Sequence, residues 1–256
     1  NYFTAGTLAL SSYLIENSFI ELKTNTNLNF VIIALIIGTL FVITFNLYAY
    51  SAQKIGITLS TISNKMSMVI PILIGIILFK EEVTFFKIIG VFLALGAIVF
   101  SSKEDKKSKK LSQINIIILF LLFIGQGLAD GLLNWGQRNI LNTQNMNLFF
   151  TLTFLSAGFA GGLYSFFKIK TSNLKMDKKS IFWGIILGIP NYLTLLYFIK
   201  SLKSELFTTY QVFPILNIGV IVMCTILSVI LFQEKVSIFK WVGVGVGILA
   251  ISLILL

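Results

Sequence analysis

Histidine is absent from the 256 residues, and cysteine occurs once, as Cys224. Without histidine there is no His-based catalytic triad and no ordinary zinc site, and a lone cysteine closes no internal disulfide and leaves the redox compartment unread. No GxxxxGK[ST] stretch is present, so a phosphate-cradling loop of that kind is excluded. Proline is scarce as well, with only Pro71, Pro190 and Pro214. Acidic residues number 10 against 20 lysines and arginines, a formal charge of +10. These cations lie between apolar runs and form no basic face, so they read as juxtamembrane anchors and not as a nucleic-acid surface.

What is abundant is apolar: 56% of residues are hydrophobic and 12% charged, with a mean hydropathy of +0.91. A soluble domain needs far less, so the composition is that of a membrane protein. Crossing about 30 Å of hydrocarbon takes roughly 17–25 mostly apolar residues in a helix. Nine runs qualify: 1–17, 30–50, 56–79, 85–102, 114–135, 148–167, 181–199, 208–232 and 238–256. They are continuous and lack the alternation of barrel strands, so the expected class is an all-α polytopic membrane protein. The polar stretches 101–113 and 168–180 are expected to be solvated loops. The chain opens at Asn1 without Met and with no basic segment before its first apolar run, so the true N-terminus is expected upstream.

One internal repeat is visible. Residues 78–91 (LFKEEVTFFKIIGV) and 231–244 (LFQEKVSIFKWVGV) share eight of fourteen positions at an offset of 153. More loosely, Asn1-Tyr2-Phe3 parallels Asn147-Leu148-Phe149, and 24–27 parallels 171–173. Spans one to four then correspond to spans six to nine, and the fifth span has no counterpart. The expectation is a pair of inverted five-helix repeats with the first helix of repeat one missing: 1–102 as the first repeat, 103–113 as a basic loop and 114–256 as the second. An odd number of spans per copy requires the copies to be inverted, the plan of many secondary transporters.

The repeated signature, Leu78-Phe79-Lys80-Glu81 with Lys87, Gly90 and Val91, and Leu231-Phe232-Gln233-Glu234 with Lys240, Gly243 and Val244, resembles that of the drug/metabolite transporter superfamily, in particular its EamA-like members. Pro214, twenty residues before Glu234, fits the same pattern, whereas the first copy has Thr61 there and Pro71 ten residues later. The resemblance covers the whole chain and implies a ten-helix secondary carrier for small metabolites, amino acids or drug-like solutes, often an exporter, without a bound cofactor or metal. The implied location is the cytoplasmic (inner) membrane of a bacterium. It carries over no substrate residue.

Candidate functional residues come from polarity inside the spans. Gln126, Asp130, Asn134 and Gln137 recur four, four and three residues apart. At about 100° per residue they share an arc of about 80°, one polar stripe. A charge at mid-membrane costs about 2.5–3.5 kcal/mol, so Asp130 is a functional candidate, and Lys65, the only cation inside a span, is its natural partner. Three uses stay open. Asp130 exchanges a proton with its affinity set by Lys65, or the pair is a fixed strut, or Asp130 binds an amine and Lys65 a carboxylate of one zwitterionic solute. The prolines free the carbonyls of Ser67, Ile186 and Tyr210, which is tolerated at packed or cavity-lining backbone. Asn64, Asn191, Tyr192, Tyr210 and Gln211 join Gln126 and Asn134 as expected cavity-lining side chains. Asn46 and Asn217 read as interhelical hydrogen bonds, and Gly127/Gly131, Gly158/Gly162 and Gly243/Gly247 as close helix packing. Trp135 and Trp241 lie near span ends, as interfacial anchors do.

Lysine and arginine distribute thirteen to one face and six to the other, which puts Asn1 on the cytoplasmic side; the resemblance implies the reverse orientation. The expected function is transport of a small solute by alternating access across the bilayer, coupled through Asp130 to protons or selecting charge there. A non-transporting scaffold or accessory subunit and a lipid-carrier flippase are the alternatives, and an enzyme is not expected. Both a monomer and a homodimer fit.

Overall fold

The computed structural model describes residues 1–16, 28–102, 112–172, 178–204, 206–232 and 238–255. They form ten α-helices: α1 (Tyr2–Glu16), α2 (Leu28–Lys54), α3 (Ile57–Met66), α4 (Val69–Phe79), α5 (Phe85–Ser102), α6 (Gln113–Asn139), α7 (Met146–Ser172), α8 (Lys178–Lys203), α9 (Thr209–Phe232) and α10 (Ile238–Leu255). No strand occurs among the described residues. By length and composition six segments can cross a membrane: Leu28–Lys54, Leu59–Phe79, Gln113–Asn139, Met146–Phe167, Lys179–Lys203 and Thr209–Leu227. Phe85–Phe100 and Trp241–Leu255 are apolar but shorter. The basic stretch 103–111, the 24–27 partner of the loose repeat, and Gln233 and Glu234 lie outside the described residues.

Two expectations need correction. The run 56–79 is not one helix, because α3 ends at Met66 and α4 starts at Val69. Pro71 has no N–H to give the Ser67 carbonyl, and the Ile70 N–H takes that acceptor instead at 3.0 Å. The Met68 N–H bonds the Lys65 carbonyl at 3.4 Å, and the Ser67 hydroxyl donates to the Asn64 carbonyl at 2.5 Å. Pro71 therefore sits in the first turn of α4, where a missing donor costs nothing, and the carbonyl expected to be freed is satisfied. The second correction concerns 168–180. Helix α7 continues to Ser172 and α8 begins at Lys178, since lysine is a good helix former and can extend a spanning helix past the apolar core.

The chain divides into two compact units, one of residues 1–43 and 132–204, the other of 44–131 and 205–256. In the first, α1 packs on α7 and α8. Its core is aromatic: Tyr13, Phe30, Phe149, Phe150 and Phe154 are all buried, and Phe30 meets Phe149 edge-to-face at 5.4 Å. Gly6 lets α1 approach α7 so closely that a Cβ there would lie 3.0 Å from Leu155 Cδ2. In the second unit α5 packs along α10, α4 on α9, and α3 on α5. The close approach again uses small residues: a Cβ on Gly90 would lie 3.1 Å from the Ala250 carbonyl, and Ala94, Ala97 and Ala250 are buried. The offset of 153 carries α5 onto α10 residue for residue. Gly56 joins α2 to α3 at φ 124°, a backbone conformation that other residues rarely adopt.

Candidate functional site

Asp130 lies within α6, among residues of the second unit. Its Oδ1 accepts from Gln126 Nε2 at 3.1 Å, one helical turn earlier. The Gln126 carbonyl oxygen in turn accepts from Asn64 Nδ2 on α3 at 3.3 Å. The direction of this chain follows from its end. With the Gln126 NH2 group given to the carboxylate, its oxygen is left to accept from Asn64. Lys65, next to Asn64, acts electrostatically on Asp130. Asn64, Lys65, Gln126 and Asp130 are thus brought together as two amides, one cation and one anion.

Helix packing holds this constellation in place. A Cβ on Gly127 would lie 2.8 Å from Ile70 Cβ, so a glycine there admits α4 this close to α6, while one on Gly131 would meet only the tip of Ile74, Cδ1 at 2.6 Å. One residue earlier on α3, Ser63 Oγ donates to the Leu119 carbonyl of α6 at 2.5 Å. The break at Ser67–Met68 then places the end of α3 beside Gln126.

The remaining expected cavity residues are held elsewhere. Asn134, one turn beyond Asp130 on α6, is fully buried and belongs to the first unit with Asn191 and Tyr192. The Tyr192 hydroxyl, 6% exposed as a residue, bonds Ser12 Oγ at 3.0 Å and Asn147 Oδ1 at 3.1 Å. Asn147 Nδ2 donates to Glu16 Oε2 at 2.8 Å. Tyr210 and Gln211 form a further cluster at the start of α9. Gln211 Oε1 accepts from the Thr208 N–H and hydroxyl, both at 2.9 Å, while Nε2 donates to the Ile254 carbonyl at 2.8 Å. Its amide is committed at both ends. Glu81 Oε1 and Oε2 accept from the Thr209 and Tyr210 N–H groups at 3.3 and 3.4 Å, and Lys87 Nζ stands 5.4 Å from the Tyr210 ring centre.

Sequence reasoning did not single out Ser12, Glu16 or Asn147, and took Glu81 only as part of a signature. For Glu81 the signal was its recurrence at Glu234; Ser12 and Glu16 carried none. Asn217 of α9 donates to Met68 Sδ at 3.4 Å, a contact between segments of the kind expected for it, and the Tyr48 hydroxyl of α2 shares a hydrogen bond with Thr61 Oγ1 of α3 at 2.9 Å. Among the described residues no three acidic or cysteine side chains gather as a metal site.

Six apolar segments of membrane-crossing length and an all-helical fold define a multi-pass integral membrane protein. No protein-family model matches the chain. Over 220 residues it is 28% identical to an uncharacterized protein of Haemophilus influenzae, covering 86% of this chain and 73% of that one.

Proposed function

We propose that the protein is a secondary transporter of the EamA-like kind, moving a small polar or amphipathic metabolite, amino acid or drug-like solute across a bacterial inner membrane by alternating access. Asp130 is its coupling or charge-recognising group, with Lys65, Gln126 and Asn64 around it. The single observation that carries the reading is the directed chain from Asn64 through Gln126 to Asp130, with Lys65 alongside, inside helices apolar enough to cross a bilayer. A charge in such a helix is costly and normally marks a solute or ion path. The reading of two inverted repeats is supported by the sequence offset of 153, which matches the bounds of α5 to those of α10 and α4 to the second half of α9, and by the packing of α5 on α10 and α4 on α9. Tyr192 bonds α1 and α7 through its hydroxyl, Gln211 bonds Thr208 and α10 through its amide, and the Tyr210 N–H bonds Glu81, so these three serve as structural anchors.

A second reading has one observation in its favour: Asp130 already receives an internal hydrogen bond and an internal cation, as a fixed strut would. The test is solute flux in proteoliposomes. Protein-dependent uptake or exchange of any component of a metabolite mixture supports transport. Vesicles no more permeable than protein-free controls, in either gradient direction, support the scaffold.

A further inference from the structure

Glu81 is tied to the candidate site by a continuous run of contacts in the second unit. Lys80 ends α4 in the left-handed conformation, φ 50° and ψ 40°, the only positive φ at a non-glycine among the described residues. That turn sends the Glu81 N–H back to the Gly75 carbonyl at 3.4 Å and its side chain across to α9. Gly75 leaves the space, since a Cβ there would lie 3.1 Å from both Glu81 Oε2 and Thr209 Cβ. The carboxylate then occupies the positive end of α9, one oxygen on each of two successive N–H groups. Two turns along, about 12 Å at 1.5 Å per residue, α9 presents Asn217 to the buried Met68. Met68 forms the break between α3 and α4, and its N–H holds the Lys65 carbonyl.

We infer that Glu81 is a positioning residue for the Asp130 site: by capping α9 it sets Asn217 against Met68, and through that break it fixes Asn64 and Lys65 opposite Gln126 and Asp130. The inference rests on reading those four residues as the functional site. Helix α9 runs unbroken from Thr209 to Phe232, with Pro214 removing one backbone bond between the capped turn and Asn217, so a displacement of the first turn reaches Asn217 and passes on through its contact with Met68 and the Met68 bond to Lys65.

Hydrogen exchange of the full chain in lipid nanodiscs, followed by mass spectrometry, tests this without a solute. Glu81→Ala is expected to speed exchange about tenfold both at 209–213 and at 64–70, with α1 and α7 unchanged. Glu81→Gln, which keeps one acceptor oxygen, is expected to rescue part of both effects. If Glu81→Ala loosens the whole chain, the comparison moves to Glu81→Gln against wild type at the same two segments. Asn217→Ala is expected to speed exchange at 64–70 while leaving 209–213 protected. Faster exchange at 209–213 with 64–70 at the wild-type rate overturns the inference, as does an Asn217→Ala variant with wild-type exchange at 64–70. Because no transport is measured, these results stand apart from whether Asp130 couples flux.

Discussion

Each compact unit carries a polar network between helices, and the two are built to opposite plans. In residues 1–43 and 132–204 the network runs from Ser12 through Tyr192 and Asn147 to Glu16, joining α1, α7 and α8. Its one charge, Glu16, is exposed in the last turn of α1. In residues 44–131 and 205–256 the network runs from Asn64 through Gln126 to a carboxylate well inside α6, on which Lys65 acts electrostatically. Neutral hydroxyls and amides satisfying one another hold helices together at about 0.6 kcal/mol per bond. A charge kept in the apolar interior costs several times that, so its retention asks for a use. Polarity within a span does not by itself mark a site, and the position of a charge is the stronger sign.

Four substitutions sharpen or break that contrast. The largest effect is expected from Lys65→Met, which leaves Asp130 without its cation and is expected to cost about 3 kcal/mol. The loss should show as a lower unfolding temperature in detergent and be recovered in the Lys65→Met, Asp130→Asn double variant. Next comes Gly127→Val, whose side chain would overlap Ile70 and is expected to cost about 2 kcal/mol by the same measurement. Tyr192→Phe removes a hydroxyl that serves both Ser12 and Asn147, for an expected loss of about 1 kcal/mol with solute flux retained. The smallest effect belongs to Glu16→Gln, which keeps an acceptor for Asn147 at an exposed position and should shift stability by about 0.5 kcal/mol or less. If Glu16→Gln cost as much as Lys65→Met, the contrast between the units would collapse.

The helices were legible because apolar runs of spanning length have few other outcomes, and among the described residues the nine expected runs are helical except for the break at Ser67–Met68 and single residues at the starts of three runs. The stripe of Gln126 and Asp130 was legible for the same local reason: a four-residue spacing puts both on one face. What local spacing cannot give is the partner across the bundle. Asn64 and Gln126 are 62 residues apart, Glu81 and Thr209 are 128 apart, and Asn147 and Glu16 are 131 apart. The first two pairings follow from helix packing around Gly75 and Gly127, and the third from the approach of α1 to α7 at Gly6; glycine in a spanning helix signals close approach without saying to what. The break at Ser67–Met68 was half legible. Pro71 announced a disturbed backbone, but whether the helix would kink or stop depended on Ile70 and Ser67 taking up the orphaned bonds.

The most direct test of the central claim is pH-gradient-driven uptake of a pooled metabolite mixture into proteoliposomes, wild type against Asp130→Asn. One pH unit is worth about 1.4 kcal/mol per proton, about a tenfold concentration ratio. The account predicts that wild type accumulates at least one solute toward that limit, while Asp130→Asn loses gradient-driven accumulation and keeps solute exchange. Equal accumulation by wild type and variant would contradict it and leave Asp130 as a strut between helices.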